Sequence, residues 1–164
     1  MPKRIVIGIS GASGVIYGVR IVDLLKEMDL ETHLIISESG KKNIAIETDY
    51  QVEEVQKMAS SVYQNVEVGA NIASGSFLTD GMVVAPCTIK TLSGIANSYS
   101  ENLIVRAADV TLKEKRKLVL MVRETPLHKG HLDLMRRAAD MGAHIVPPIP
   151  SFYHMPQTID DIIN

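Results

Sequence analysis

An α/β fold of three layers, one parallel sheet held between helices, is predicted by two features of the chain. Short runs rich in β-branched residues alternate with stretches of helical pattern, the mark of repeated strand–helix–strand units joined by right-handed crossovers. The first run, Arg4 to Ile9, passes through a turn of small and hydroxyl residues, Ser10-Gly11-Ala12-Ser13-Gly14, straight into a helix. The 164 residues suffice for a substantial core, and without internal repeats or low-complexity linkers they read as one domain, 1–164.

Arg4–Ile9 is apolar and of strand length, and the pattern over Val15–Met28 is helical. Thr32–Ser37 is the second strand, followed by helices near Lys41–Glu47 and Val52–Ser60. Gly, Ala and Ser concentrate between about Asn65 and Thr79, including Ser74-Gly75-Ser76, and predict a loop over the active edge. Gly81–Ala85, Lys117–Val122 and His144–Val146 are the remaining strands, with helices near Leu92–Asn97, Leu103–Glu114 and His131–Met141. Pro147-Pro148-Ile149-Pro150 then breaks the regular pattern and delivers Phe152-Tyr153-His154-Met155-Pro156.

Composition removes several classes of function. With 17 basic and 19 acidic residues the formal charge is −2, and no basic arm or like-charge block supports binding to nucleic acid or to a membrane surface. The longest apolar runs are strand-sized, and no signal-peptide core opens the chain, so a cytoplasmic protein is expected. The single cysteine, Cys87, excludes an intramolecular disulfide, and five dispersed histidines make no metal-ligand pattern, although His128 and His131 could share a helix face.

In an open α/β sheet ligands bind outside the carboxyl ends of the strands, and here those ends are polar. Glycines in the first turn let backbone approach an anion, the amides of the following helix point at it, and Ser10 and Ser13 add hydroxyls. The second strand ends in Ser37-Glu38-Ser39, the third in Pro86-Cys87-Thr88-Ile89-Lys90-Thr91, and the fourth in Arg123-Glu124-Thr125-Pro126. Ser37 and Thr88 are also good helix N-caps, a role compatible with ligand binding. Arg123 suits an anionic ligand and Glu124 an acid or base, with a fixed salt bridge as the plain alternative. Arg106, Asp109 and Lys113 follow one helix face, Glu47 closes a moderately apolar helix, and Tyr153 sits on a proline-stiffened segment that can hold a phenol over a pocket.

Several of these motifs together resemble one family. Gly8-Ile9-Ser10-Gly11-Ala12-Ser13-Gly14, Ile46-Glu47-Thr48, Ser74-Gly75-Ser76, Ala85-Pro86-Cys87-Thr88-Ile89-Lys90-Thr91-Leu92, Arg106-Ala107-Ala108-Asp109-Val110, Leu112-Lys113-Glu114, Leu118-Val119-Leu120, Arg123-Glu124-Thr125-Pro126 and Phe152-Tyr153-His154-Met155-Pro156-Gln157 stand in the order found in the UbiX-type flavin prenyltransferases, some of which are paired with aromatic-acid decarboxylases. The resemblance covers nearly the whole chain. It implies a flavodoxin-like, Rossmann-type subunit of a homododecamer that binds FMN between subunits and needs no metal. It further implies that reduced FMN is alkylated at N5 by the dimethylallyl group of dimethylallyl phosphate and closes a fourth ring through C6, giving prenylated FMN for a UbiD-type decarboxylase, plus phosphate.

By the same resemblance Ser10, Gly11, Ala12, Ser13, Ser37, Thr88, Ile89, Lys90, Thr91 and Arg123 are implied in flavin binding, Ser37 at the phosphate end. Arg106, Lys113 and Tyr153, with Glu47, are implied around the prenyl phosphate. Ser13, Glu47 and Glu124 are implied as the catalytic residues, Ser13 and Glu124 managing protons during ring closure. Two other readings are a flavin-carrying accessory subunit of an aromatic-acid decarboxylase and a flavoprotein decarboxylase of the cysteine type. The latter relies on a catalytic histidine and an Asn-containing motif where this chain has Pro86-Cys87-Thr88-Ile89-Lys90. Family members also continue beyond the position of Asn164, which lies in what reads as the first turns of an amphipathic helix.

Overall fold

The computed structural model describes residues 3–28 and 30–164. In chain order the elements are β1 (Arg4–Ile9), α1 (Val15–Glu27), β2 (Glu31–Ile36), α2 (Glu38–Glu47), α3 (Val52–Met58), β3 (Ser61–Gln64), a 3-10 turn at Asn71–Ala73, β4 (Gly81–Cys87), α4 (Ile89–Ala96), α5 (Leu103–Lys113), β5 (Lys117–Val122), α6 (Lys129–Asp140), β6 (Ala143–Ile145) and α7 (Asp160–Ile163). The strands form one sheet in the order β3-β2-β1-β4-β5-β6, every pair parallel. That is the Rossmann order; without the four-residue edge strand β3, the other five strands follow the flavodoxin order.

The sheet is buried on both faces, and the period-two alternation of its strands divides the core into two clusters. Ile7, Ile9, Leu34 and Ile36 face α1, α2 and α3, where they meet Val15, Val19, Val22, Ile44 and Val55. Val6, Ile35, Val84, Leu118 and Leu120 face α4 and α5, where they meet Leu92, Ile95, Leu103 and Ile104. Helix α1 lies so close that a methyl group on Gly18 would stand 2.2 Å from the carbonyl oxygen of Ala85, so only glycine permits this packing.

Several boundaries moved for identifiable reasons. Helices α2 and α4 begin three residues before the expected Lys41 and Leu92, because Ser37 accepts from the Gly40 amide and Thr88 from the Thr91 amide. Strand β3 was not expected. It is a four-residue edge strand with alternating half-buried positions, stabilised by pairing His33–Ile36 of β2 rather than by its own composition. The loop after it also departs from expectation. A parallel connection must return to the amino edge of the sheet, so Ser74-Gly75-Ser76 does not cover the carboxyl edge. It packs against Lys113 and Glu114, with Arg116 donating to the carbonyls of Gly75 and Phe77. Among the described residues no helix is long and apolar enough to cross a membrane.

A part-buried polar network centred on the buried His33 braces β1, β2 and β3. The His33 ring nitrogens lie 3.0 Å from the Tyr63 hydroxyl and 3.1 Å from a Glu31 carboxylate oxygen, and Arg4 donates to the other Glu31 oxygen at 2.8 Å. Burial holds the His33 imidazole below the usual histidine range, against the pull of the Glu31 carboxylate. The unfolded chain takes up a proton near pH 6.5 that the folded chain resists, so stability is flat above that pH and declines as pH falls below it. The expected result is a melting temperature that falls between pH 6.5 and 5, and a flatter curve in that window for His33→Asn. Glu31, whose carboxyl the Arg4 guanidinium holds below the usual range, contributes stability that is fully present above the ordinary carboxylate range and is lost as pH falls through it.

Candidate active site

Three stitches extend the sheet one step past its regular ladder and assemble the carboxyl edge. The Ser37 amide donates to the Ile9 carbonyl at 3.0 Å, joining the ends of β2 and β1. The Ser10 amide and hydroxyl both donate to the Pro86 carbonyl, at 3.2 and 2.8 Å, and the same hydroxyl accepts from the Thr88 amide at 2.9 Å. The Arg123 amide donates to the Cys87 carbonyl at 3.1 Å, joining β5 to β4. Ser10 is 2 % exposed and its hydroxyl is occupied on both its donor and acceptor sides, so it holds the edge together.

Between these tips lies a cavity of about 280 Å³ bordered by Ser10, Ser37, Ser39, Thr88, Thr91 and Asn102. The amino ends of α2 and α4 both open on it. Their first-turn amides and the positive ends of their dipoles, together with the hydroxyls, make a donor set suited to a phosphate ester. The nearby lysines are already neutralised: Lys41 reaches Glu38 at 2.7 Å and Lys90 reaches Glu101 at 3.1 Å. Cys87, fully buried below this edge, has its thiol pushed up to about 12 by burial, which leaves it protonated and unreactive.

The glycine-rich turn differs from a vacant anion cradle. Gly14 adopts a left-handed conformation, φ 94°, and no side chain of α1 caps the helix. Its amide and that of Val15 donate instead to the Glu47 carboxylate, at 2.8 and 3.3 Å. The protein's own anion thus occupies the amino end of α1, and the open helix ends are those of α2 and α4. Glu47 therefore stands beside Gly11, Ala12 and Ser13, with Ser13 exposed.

The other expected residues are more dispersed within one chain. Ile89 and Thr91 are part-buried and buried in the first turn of α4, whereas Lys90 is exposed. Arg123 and Glu124 are exposed at the tip of β5, and Glu124 accepts from the Thr125 amide rather than pairing with Arg123. Arg106 pairs with Asp109 at 3.3 Å, and Lys113 pairs with Glu114. As a crossover, α5 runs antiparallel to the strands. Its start is pinned at the carboxyl edge by Asn65, which receives the amides of Leu103 and Ile104, so Lys113 lies about 15 Å further along the axis, toward the amino edge. Tyr153 is 90 % exposed on the segment after β6. Of the expected residues Ser10, Ser37, Thr88, Lys90 and Thr91 border the crevice, whereas Lys113 and Tyr153 lie outside it.

Sequence reasoning did not single out Asn43, Asn65 or Asn102. The side chain of Asn102 caps α5, and its position just before a helical run was the available signal. Asn43 and Asn65 act through tertiary contacts that leave no local pattern. His128 and His131 do come together, ring centroids 3.6 Å apart, with His128 accepting from the Gly130 amide at the start of α6. Among the described residues no three potential metal ligands cluster.

Removing the Glu47 carboxylate leaves two amides of α1 without a partner. Glu47→Ala is expected to lower unfolding free energy by about 0.5–1 kcal/mol in urea titrations, and Glu47→Gln, which keeps an acceptor oxygen, by less.

Residues 1–163 match the Flavoprotein family. The flavin prenyltransferase UbiX of Thauera aromatica is 58% identical over 161 residues, 98% of this chain and 83% of that protein. The crystal structure of AnUbiX (PadA1) in complex with FMN and dimethylallyl pyrophosphate superposes with a TM-score of 0.98 at 42% identity, covering 99% of this chain and 87% of that one. The dodecameric FMN-dependent UbiX-like decarboxylase from Escherichia coli O157:H7 superposes with a TM-score of 0.96 at 46% identity, covering 98% and 88%. The crevice between two helix amino ends and the hydroxyl-rich strand tips thus lie in a chain that belongs to the flavoprotein family, among the UbiX flavin prenyltransferases.

Proposed function

We propose that this chain joins the dimethylallyl group of dimethylallyl phosphate to reduced FMN at N5 and C6, releasing phosphate and supplying prenylated FMN to a UbiD-type decarboxylase. The supporting observation is the hydroxyl and amide crevice at the ends of α2 and α4, in a chain whose relatives are flavin prenyltransferases. The crevice suits the FMN phosphate: Ser37, Ser39, Thr88 and Thr91 present hydroxyls beside first-turn amides, and no unpaired carboxylate opposes an anion there. Gly11, Ala12, Ser13 and Arg123 bear on the rest of the flavin. When bound, the reduced flavin supplies an electron-rich ring that captures an allylic cation.

The residues of the chain then have distinct tasks. Arg106, Lys113 and Tyr153 hold the prenyl phosphate and stabilise the charge on it as the allylic C–O bond breaks. Ser13 and Glu124 hold and move protons at the flavin edge, with the released phosphate as a second acceptor. Because Lys113 and Tyr153 lie away from the crevice of their own chain, the complete site draws on neighbouring chains, which fits a homododecamer like that of the Escherichia coli neighbour. A cytoplasmic location follows the same reading.

Anaerobic incubation of the protein with reduced FMN and dimethylallyl phosphate is expected to give a flavin heavier by one C5 unit, read by mass spectrometry, with phosphate released. Flavin binding without that mass gain would favour the accessory flavin carrier instead. Glu124→Gln is expected to slow product formation by a factor of about 100 or more while FMN still binds.

A further inference from the structure

One face of α2 grips the glycine-rich turn at three successive points, residues 39, 43 and 47, which the four-residue spacing of a helix stacks in a line. Ser39 packs against Gly11 so closely that a β-carbon there would stand 2.3 Å from its side chain, which makes glycine the only residue that fits. One turn on, the Asn43 side-chain amide donates to the Gly11 carbonyl at 3.1 Å. A further turn on, Glu47 takes the amides of Gly14 and Val15. Ser39 and Glu47 therefore bear on the two ends of the turn, and Asn43 alone makes a side-chain hydrogen bond to the Gly11 carbonyl among the described residues.

We propose that Asn43 is a positioning residue for the flavin site, acting through the Gly11 carbonyl to fix the orientation of the Gly11–Ser13 peptide units. The inference rests on the reading that this turn carries flavin. Helix α2 buries only Gly40 and Ile44, so its hold on the turn is largely polar and Asn43 contributes little to the core. Loss of the Asn43 donor thus lets the turn sample other orientations without unfolding the domain. Ligand affinity falls because the ordering of the turn must then be supplied on binding. Asp at position 43 is nearly isosteric, removes the donor and sets a carboxylate against the Gly11 carbonyl oxygen; Leu removes the donor without adding charge.

The test compares the wild-type full chain with Asn43→Asp and Asn43→Leu, by FMN fluorescence quenching, by steady-state prenylation with FMN varied, and by thermal unfolding. The expected result is a three- to tenfold weaker FMN affinity for Asn43→Leu and a larger loss for Asn43→Asp. The KM for FMN should rise in parallel, kcat at saturating FMN should stay within twofold, and melting temperatures should stay within a few degrees. A smaller folded fraction alone would lower the apparent kcat and leave KM unchanged, and that pattern overturns the proposal. So does wild-type FMN affinity in both variants. Wild-type protein with no affinity for FMN would instead overturn the flavin reading, and the role of Asn43 with it.

Discussion

The seam between β1 and β4 is the constraint on which the rest of the structure depends. Their ladder ends at the pairing of Gly8 with Val84, and beyond it the chain leaves β1 toward one face of the sheet and β4 toward the other. Two strand ends that part in this way open a crevice and would also lose register. Ser10 prevents the second consequence by bonding Pro86 and Thr88 with its backbone and hydroxyl together, in a site from which water is excluded. The Ser37–Ile9 and Arg123–Cys87 bonds repeat the device on either side. Four strand tips are thereby joined along one edge.

Electrostatics then distinguishes the helix ends along that edge. Helices α1, α2 and α4 each begin within a few residues of a strand tip at this edge. The end of α1 is taken by Glu47, a carboxylate from the last turn of α2, while the ends of α2 and α4 are capped only by neutral hydroxyls. A cap that carries full negative charge competes with a ligand phosphate, whereas a serine or threonine cap leaves the field of the helix in place. Lys41 and Lys90, balanced by Glu38 and Glu101, leave amides and hydroxyls to provide the recognition.

The geometry of α5 divides the remaining machinery. A crossover helix must carry the chain from the carboxyl edge back to the amino edge, so residues spaced along it cannot all face one crevice. Arg106 and Lys113 are seven residues apart, about 10 Å along the axis, and Lys113 sits with Glu114 and Gly75 at the far edge. Tyr153 projects from a segment on which Phe152 and Met155 are also exposed.

Local pattern was enough to determine much of this protein. β-Branched runs mark β1, β2, β4, β5 and β6, and glycines and N-cap residues mark the turns at their ends, because each of these signals depends on neighbours in sequence. Even so, Ser37 and Thr88 read as caps while the helical pattern itself starts three residues later, since the first turn of a capped helix carries no apolar periodicity of its own. Tertiary structure alone decided that β3 exists, because an edge strand of four residues is stabilised by its partner. It decided that Ser74-Gly75-Ser76 belongs to the opposite edge, because a parallel connection has to return there. And it decided that Glu47 closes the amino end of α1 and Asn43 holds Gly11, because contacts across about thirty residues arise from the packing of α2 beside α1 and leave no periodic trace in the chain.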